Sequence, residues 1–331
     1  PEVDAIVGTT AIDSIVAAVE EVLEGRKSNH YADLNAKPVT GKKRIVTTGG
    51  HFAYLKIAEG CNKRCTYCII PKVRGNYRSV PIENLLKEAS KLAEGGVKEL
   101  ILVAQETTLY GVDLYGEKSL PKLLHELAQI PGIYWIRILY CYPEEITEDL
   151  IRTIKEEPKV CNYLDIPIQH ASDRILRRMG RKTDQADLRR IIGKLREEIP
   201  DICLRTTLIT GFPGETQEDF EELLDFVDEM EFDRLGVFPY SQEEDTPAAE
   251  MEDQIPEEIK VERQSQVMEL QQEIAFEKAE DMVGRVLTVM VEGKITDEDA
   301  YVTLMTGDFV KVLVTDSNEY DLIGEIWQEG E

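Results

Sequence analysis

The decapeptide Glu59-Gly60-Cys61-Asn62-Lys63-Arg64-Cys65-Thr66-Tyr67-Cys68 places three cysteines at the spacing C-x3-C-x2-C, directly after an apolar run at 52–58 with the length and make-up of a strand. Cysteines this close together in a chain without a disulfide framework read as metal ligands. Zinc sites usually join a C-x2-C pair to a second ligand pair that completes a tetrahedron. Here His51 precedes the strand and the next cysteine, Cys141, comes far later. A [4Fe–4S] cluster normally takes four thiolates, one per iron. Three on one loop leave one iron without a protein ligand, and an open iron calls for a small molecule bound there. The spacing therefore favours a cluster held by Cys61, Cys65 and Cys68 over a zinc knuckle or plain core cysteines. Lys63, Arg64, Lys72, Arg74 and Arg78 surround the motif. They would offset the negative charge of a thiolate-bound cluster, although each by itself is equally well a solvated surface residue.

Outward from the cysteines, residues 52–240 alternate short apolar runs with amphipathic segments. The expected strands are 52–58, 99–104, 135–140, 163–168, 203–210 and 234–240. The clearest helix spans 216–230, with Phe220, Leu223, Leu224, Val227 and Met230 on one face and a capping-box start at Thr216 and Asp219. Another begins near Pro81, with the stripe Leu85, Leu86, Ala89 and Leu92. Six βα units in succession imply a parallel sheet with helical crossovers, an α/β fold. Six fall short of the eight that close a full barrel, so a partial (β/α)6 barrel is expected. Active sites of such folds lie on the loops after the strands' C-terminal ends, and the cysteine loop sits in such a place.

The flanks differ. Residues 1–35 hold a strand-like Ala5–Val7 and a helix at 12–23, too little to fold alone, and 36–50 read as a linker. The core extends over 51–255, a long helix over 256–281, and a small all-β barrel over 282–331, with expected strands at 284–291, 301–303, 308–315 and 322–326. Cys141, Cys161 and Cys203 are scattered on or beside strands and are expected in the core. The chain of 331 residues is 42% hydrophobic, and no stretch approaches about 18 uncharged apolar residues, so no membrane-spanning helix is expected. With so few clustered cysteines, a cytoplasmic setting is the expectation. Net charge is −26, a field that repels phosphate backbones and attracts basic partners.

C-x3-C-x-aromatic-C after the first strand of a six-unit parallel barrel resembles the radical S-adenosylmethionine (SAM) superfamily. The resemblance implies that SAM chelates the open iron and is cleaved by an electron from the cluster to a 5′-deoxyadenosyl radical. It also implies cofactor-binding roles at the strand ends: Tyr67 beside the adenine; Gln105 and Glu106 for the methionine amine; Gln169, His170 and Ser172 after the fourth strand; Arg205 toward a carboxylate; Gly211 at the adenine border; and Phe238 over it. Gly60-Cys61-Asn62 through Arg74-Gly75, then Gln105-Glu106-Thr107-Thr108, Ile168-Gln169-His170-Ala171-Ser172 followed by Ile175, Leu176, Met179 and Arg181, and Gly211-Phe212-Pro213-Gly214-Glu215-Thr216 are similar to the methylthiotransferases. In that family a C-terminal TRAM domain, an OB-like barrel, follows the core; residues 282–331 look like one, short between Tyr301 and Met305.

Two subfamilies compete. One modifies an adenosine of transfer RNA; the RimO type modifies an aspartate β-carbon of ribosomal protein S-twelve. Gln105-Glu106-Thr107-Thr108 and Leu139-Tyr140-Cys141-Tyr142-Pro143 resemble the RimO pattern. Residues 282–331 carry three basic against eleven acidic residues, a net −8, which favours a basic ribosomal protein over RNA. No strong nucleic-acid binding is expected. The resemblance further implies an electron donor such as flavodoxin or ferredoxin. The family also carries an N-terminal domain with three more cysteines and a second [4Fe–4S] cluster that takes part in sulfur delivery. No cysteine precedes Cys61, residues 1–35 resemble only the end of that domain, and the second cluster is expected only in the full-length form.

Overall fold

The computed structural model describes residues 2–41, 44–293, 304–318 and 320–328. At the N-terminal side, β1 (Ala5–Val7), α1 (Ile15–Leu23) and β2 (Ser28–His30) form one small unit, the two strands pairing in parallel. The sequence reading lacks β2, because three polar residues leave no alternation to detect.

The core is a six-stranded, fully parallel sheet whose strands stand side by side in chain order. These are β3 (Phe52–Lys56), β6 (Glu99–Val103), β7 (Trp135–Ile138), β8 (Val160–Asp165), β9 (Cys203–Thr210) and β10 (Arg234–Pro239). The first expected strand is divided. After Lys56 the chain leaves the sheet and forms β4 (Ala58–Glu59), antiparallel to β5 (Arg78–Ser79). The fourth starts at Val160 and ends at Asp165 rather than spanning 163–168. Pro167 has no N–H to give a ladder, and the chain turns at Gln169, which holds a left-handed φ of 73°.

Between the strands run α2 (Ile70–Arg74), α3 (Ile82–Glu94), α4 (Val112–Tyr115), α5 (Leu120–Ala128), α6 (Glu148–Glu156), α7 (Asp173–Arg178), α8 (Gln185–Glu198) and α9 (Gln217–Met230). α9 begins with the capping box the sequence announced, Thr216 and Asp219 each satisfying the other's backbone N–H. It buries Phe220, Leu223, Phe226, Val227 and Met230, each contributing about 1.5–3 kcal/mol of transfer free energy. Phe226 takes the deep position the pattern gave to Leu224, which packs at the margin.

α10 (Glu257–Glu280) runs beside β10. Gln264 donates to the Val237 carbonyl at 2.8 Å and Gln271 to that of Phe232 at 2.8 Å. These amides satisfy backbone that an edge strand would expose. β11 (Val286–Met290), β12 (Phe309–Ser317) and β13 (Leu322–Ile326) follow as an antiparallel sheet. The strand expected at 301–303 lies outside the described residues, as does the short hairpin read there.

Side-chain alternation along the parallel strands is informative. Parallel strands are usually buried on both faces. In β9 the residues Leu204, Thr206, Leu208 and Thr210 are buried toward the helices, whereas Cys203, Arg205, Thr207 and Ile209 are only half-buried. In-register neighbours on the same face include Tyr54, Ile101, Arg137, Gly236 and Phe238. The inner face therefore lines an open lumen. Cys141 is fully buried, but Cys161 and Cys203 are half-buried. This corrects the expectation of three core cysteines: Cys161 and Cys203 border a cavity of about 580 Å³ at the strands' N-terminal end.

Candidate active site

The cysteine loop is fixed by backbone contacts from three directions. Gly60 has φ of 79°, and a Cβ there would collide with the Asn76 carbonyl, so only glycine fits. Its N–H donates to Gln105 Oε1 at 2.7 Å. The Cys61 N–H donates to Gly75 at 3.2 Å and the Thr66 N–H to Met179 at 2.9 Å. Asn62 Oδ1 accepts from the Tyr77 N–H at 3.0 Å. All three cysteines are free, Cys61 and Cys65 buried and Cys68 half-buried. Burial pushes the Cys61 thiol up to about 11 and raises that of Cys68. Bound iron would reverse this by favouring the thiolates. Among the described residues no three His, Cys, Asp or Glu side chains gather as the ligands of a single metal ion. A cubane puts each thiolate on a different iron, and three free thiols on one braced loop fit that donor set.

Several groups converge on these thiols. Tyr142 Oη lies 3.6 Å from Cys65 Sγ. Lys63 Nζ and the Arg181 guanidinium each lie over the Tyr142 ring, at 4.8 and 4.3 Å from its centroid. Lys63 is paired with Glu144 at 3.2 Å and with Glu145. Arg181 is buried, donates from Nη2 to the Pro167 carbonyl at 3.0 Å, and leaves Nε and Nη1 without partners. Tyr140, in the left-handed region at φ 64°, has its N–H bound to Asp165 Oδ2 at 3.1 Å. Burial, then the neighbouring Cys68, pushes its phenol up.

Glu106 is fully buried. Its Oε1 accepts from the N–H and hydroxyl of Thr108, and Oε2 has no partner. Burial pushes its carboxyl up to about 7, against the lowering effect of Thr108. Tyr67 is half-buried and meets Phe212 edge-on at 6.5 Å. Gln105, half-buried, serves the Gly60 N–H.

The remaining expected residues divide into two groups. Arg205 and Phe238 reach the lumen. Arg205 does meet a carboxylate, but it is that of Asp165, at 2.7 Å. Phe238 is 57% exposed, so core packing does not account for it. Gln169, His170, Ser172 and Gly211 belong to a buried frame behind the lumen. Gln169 exchanges backbone hydrogen bonds with Thr207 and Ile209 on β9. His170 Nδ1 accepts from the Ser172 N–H at 2.9 Å, and its Nε2 stands 3.5 Å from Glu215, which is itself paired with Arg263 at 2.7 Å. The Ser172 hydroxyl donates to Asp219 at 2.7 Å. Gly211, at φ 67°, makes room for the Lys260 side chain of α10. Of the five basic residues near the motif, Lys63, Arg74 and Arg78 are half-buried and Lys63 packs on Tyr142; Lys72 is paired with Asp245 at 3.8 Å in solvent.

Tyr140, Tyr142 and Arg181 stand in stretches that carry the family resemblance, but none of them is among the expected site residues. The strand-end rule reaches both tyrosines, which follow β7. It does not reach Arg181, which lies beyond α7 and returns to the loop because Thr66 bonds Met179.

Residues 55–227 match the family described as "Radical SAM superfamily". The "Ribosomal protein uS12 methylthiotransferase RimO" of Lachnoclostridium phytofermentans is 58% identical, over 98% of this chain and 78% of that protein. The protein of the same name from Clostridioides difficile is 47% identical over 99% and 78%. Among solved structures, a radical SAM methyltransferase, TsrM, from Kitasatospora setae is similar at a TM-score of 0.49, with 18% identity over 78% of this chain and 46% of that one. The chain belongs to the radical SAM superfamily and, within it, to the RimO-type methylthiotransferases, an enzyme of that class.

Proposed function

We propose that this protein transfers a methylthio group to the β-carbon of an aspartate in ribosomal protein uS12. The observation that carries the reading is the gathering of three free cysteines at the C-terminal ends of the strands, at the mouth of a polar-lined lumen; the substrate is taken from the relatives' name. In this reading Cys61, Cys65 and Cys68 hold a [4Fe–4S] cluster. When bound, the cluster and SAM together supply the deoxyadenosyl radical that removes hydrogen from the substrate.

The chain's own residues orient and enclose. Glu106 offers its unpartnered Oε2 to the methionine amine, and Tyr67 borders the adenine. Arg205 and Phe238 line the lumen through which the target side chain enters, and Gln105 holds the cysteine loop at Gly60. Gln169, His170, Ser172 and Gly211 position the 211–216 loop that bounds the adenine side. The division into 1–35, 36–50, 51–255, 256–281 and 282–331 is part of the reading. So are the acidic 282–331 segment as the feature that attracts basic uS12, and a flavodoxin or ferredoxin as electron source.

Anaerobic incubation of the full-length protein with dithionite, SAM and uS12 tests it. The result expected is deoxyadenosine together with a mass gain of one methylthio group at an aspartate of uS12. Deoxyadenosine without that gain overturns the transfer, and methylthiolated adenosine in added transfer RNA overturns the substrate.

A further inference from the structure

We propose that Arg181 is a positioning residue that sets the reduction potential of the cluster, by fixing a permanent positive charge beside Cys65. The inference rests on the reading that Cys61, Cys65 and Cys68 hold a [4Fe–4S] cluster. Arg181 is 7% exposed, and guanidinium stays charged at any working pH. A buried charge is costly unless paired and hydrogen-bonded. Yet Arg181 makes one hydrogen bond, to Pro167, and its Nε and Nη1 have no partner. The carboxylate in its surroundings, Glu144, is shared with Lys63 at 3.2 Å and with the Thr183 hydroxyl at 2.9 Å, so it balances Arg181 only in part.

Geometry shows where the missing partner lies. Arg181 stacks on Tyr142, whose hydroxyl reaches Cys65 Sγ. Cys65, Tyr142 and Arg181 line one cavity of about 150 Å³. Gly180, at φ 73°, brings this segment so close that a Cβ would lie 3.0 Å from the Arg64 carbonyl. A thiolate-ligated cluster is an anion next to that cavity, and it supplies the compensation that Glu144 and the Tyr142 ring leave incomplete. Lys63 cannot do the same, because two glutamates already neutralise it.

The consequence is electrostatic. On reduction the cluster takes up one electron from an external donor, and no bond forms or breaks. The added negative charge is stabilised by a fixed cation in a dry site, so the potential rises. The experiment is a mediator-equilibrated dithionite titration, followed by electron paramagnetic resonance, of reconstituted wild type, Arg181→Lys and Arg181→Met without SAM. Arg181→Met should lower the reduced-to-oxidised ratio at fixed ambient potential by about tenfold, equivalent to about 59 mV for a one-electron couple. Arg181→Lys should stay close to wild type. Equal potentials in all three overturn the inference while leaving the cluster reading intact. Loss of the cluster from Arg181→Met alone also overturns it, by assigning the charge to assembly. Failure of wild type to take up a cluster overturns the reading beneath it.

Discussion

The two ends of the same six strands are built on opposite terms. At the C-terminal end, charged groups are buried with polar atoms left without partners: Glu106 Oε2, and Nε and Nη1 of Arg181. At the N-terminal end, side chains are mostly matched. Glu99 and Arg137 pair at 2.7 Å, Arg137 covers the Tyr163 ring, and Phe309 of the C-terminal sheet packs on Tyr134 and Trp135 at 5.2 and 4.8 Å. His51 and Gln271 are exceptions there: both ring nitrogens of His51 and Oε1 of Gln271 are unpartnered, the His51 ring packing against Phe52. Buried polar atoms left unmatched cost stability. The unmatched atoms at the C-terminal end belong to a carboxyl and a guanidinium, which holds that end ready for charged ligands, whereas at the N-terminal end the charged groups Glu99 and Arg137 pair with each other.

The contrast can be broken most completely at the cysteines. Cys61→Ser should abolish cluster absorbance and deoxyadenosine formation while the far-UV circular dichroism stays that of wild type; retained SAM cleavage would remove the special status of this end. Glu106→Gln comes next. On the proposed reading it removes a charge-assisted hydrogen bond to the bound amine and should weaken SAM by about 1.5–3 kcal/mol, roughly 10–150-fold in Kd by calorimetry, with little change in melting temperature.

Asp219 tests the frame behind the site. It receives Ser172, Arg174 and the Thr216 backbone, and although burial opposes its charge these partners hold its carboxyl well below the usual range. A depressed folded pKa contributes stability that is present above the unfolded value of about 3.9 and is lost as pH falls toward the folded value. Asp219→Ala should cost about 1–2 kcal/mol at neutral pH, as a lost cap. Its deficit against wild type should shrink in thermal melts taken below about pH 4. Phe309→Ala should have the smallest effect, about 0.5–1.5 kcal/mol from its two ring contacts, with cluster spectrum and SAM affinity unchanged.

Much of this was legible in the sequence because periodicity and spacing report local physics. The six strands, the α9 capping box and the three-cysteine loop all follow from contacts within a few residues. What was not legible depends on contacts between distant segments. Arg205 points to a carboxylate, but only the β8–β9 register shows that Asp165 is the one it meets. His170 and Ser172 look like ligands at a strand end until Glu215 and Asp219 are seen opposite them. Gly211 suggests a ligand's approach, whereas the Lys260 side chain fills that space. Arg181 falls in a stretch that carries the family resemblance, but its place beside the cysteines arises only from a return of the chain onto their loop. The half-burial of Cys161 and Cys203 likewise follows from an open lumen, which strand patterning alone does not distinguish from a filled barrel.

The central claim is that Cys61, Cys65 and Cys68 hold a cluster with one iron open to SAM. Electron paramagnetic resonance of the dithionite-reduced, reconstituted protein, recorded with and without SAM, tests it most directly. The account predicts a reduced [4Fe–4S] signal whose shape changes when SAM is added and which is missing from Cys61→Ser. A signal indifferent to SAM, or one that survives in Cys61→Ser, would contradict it.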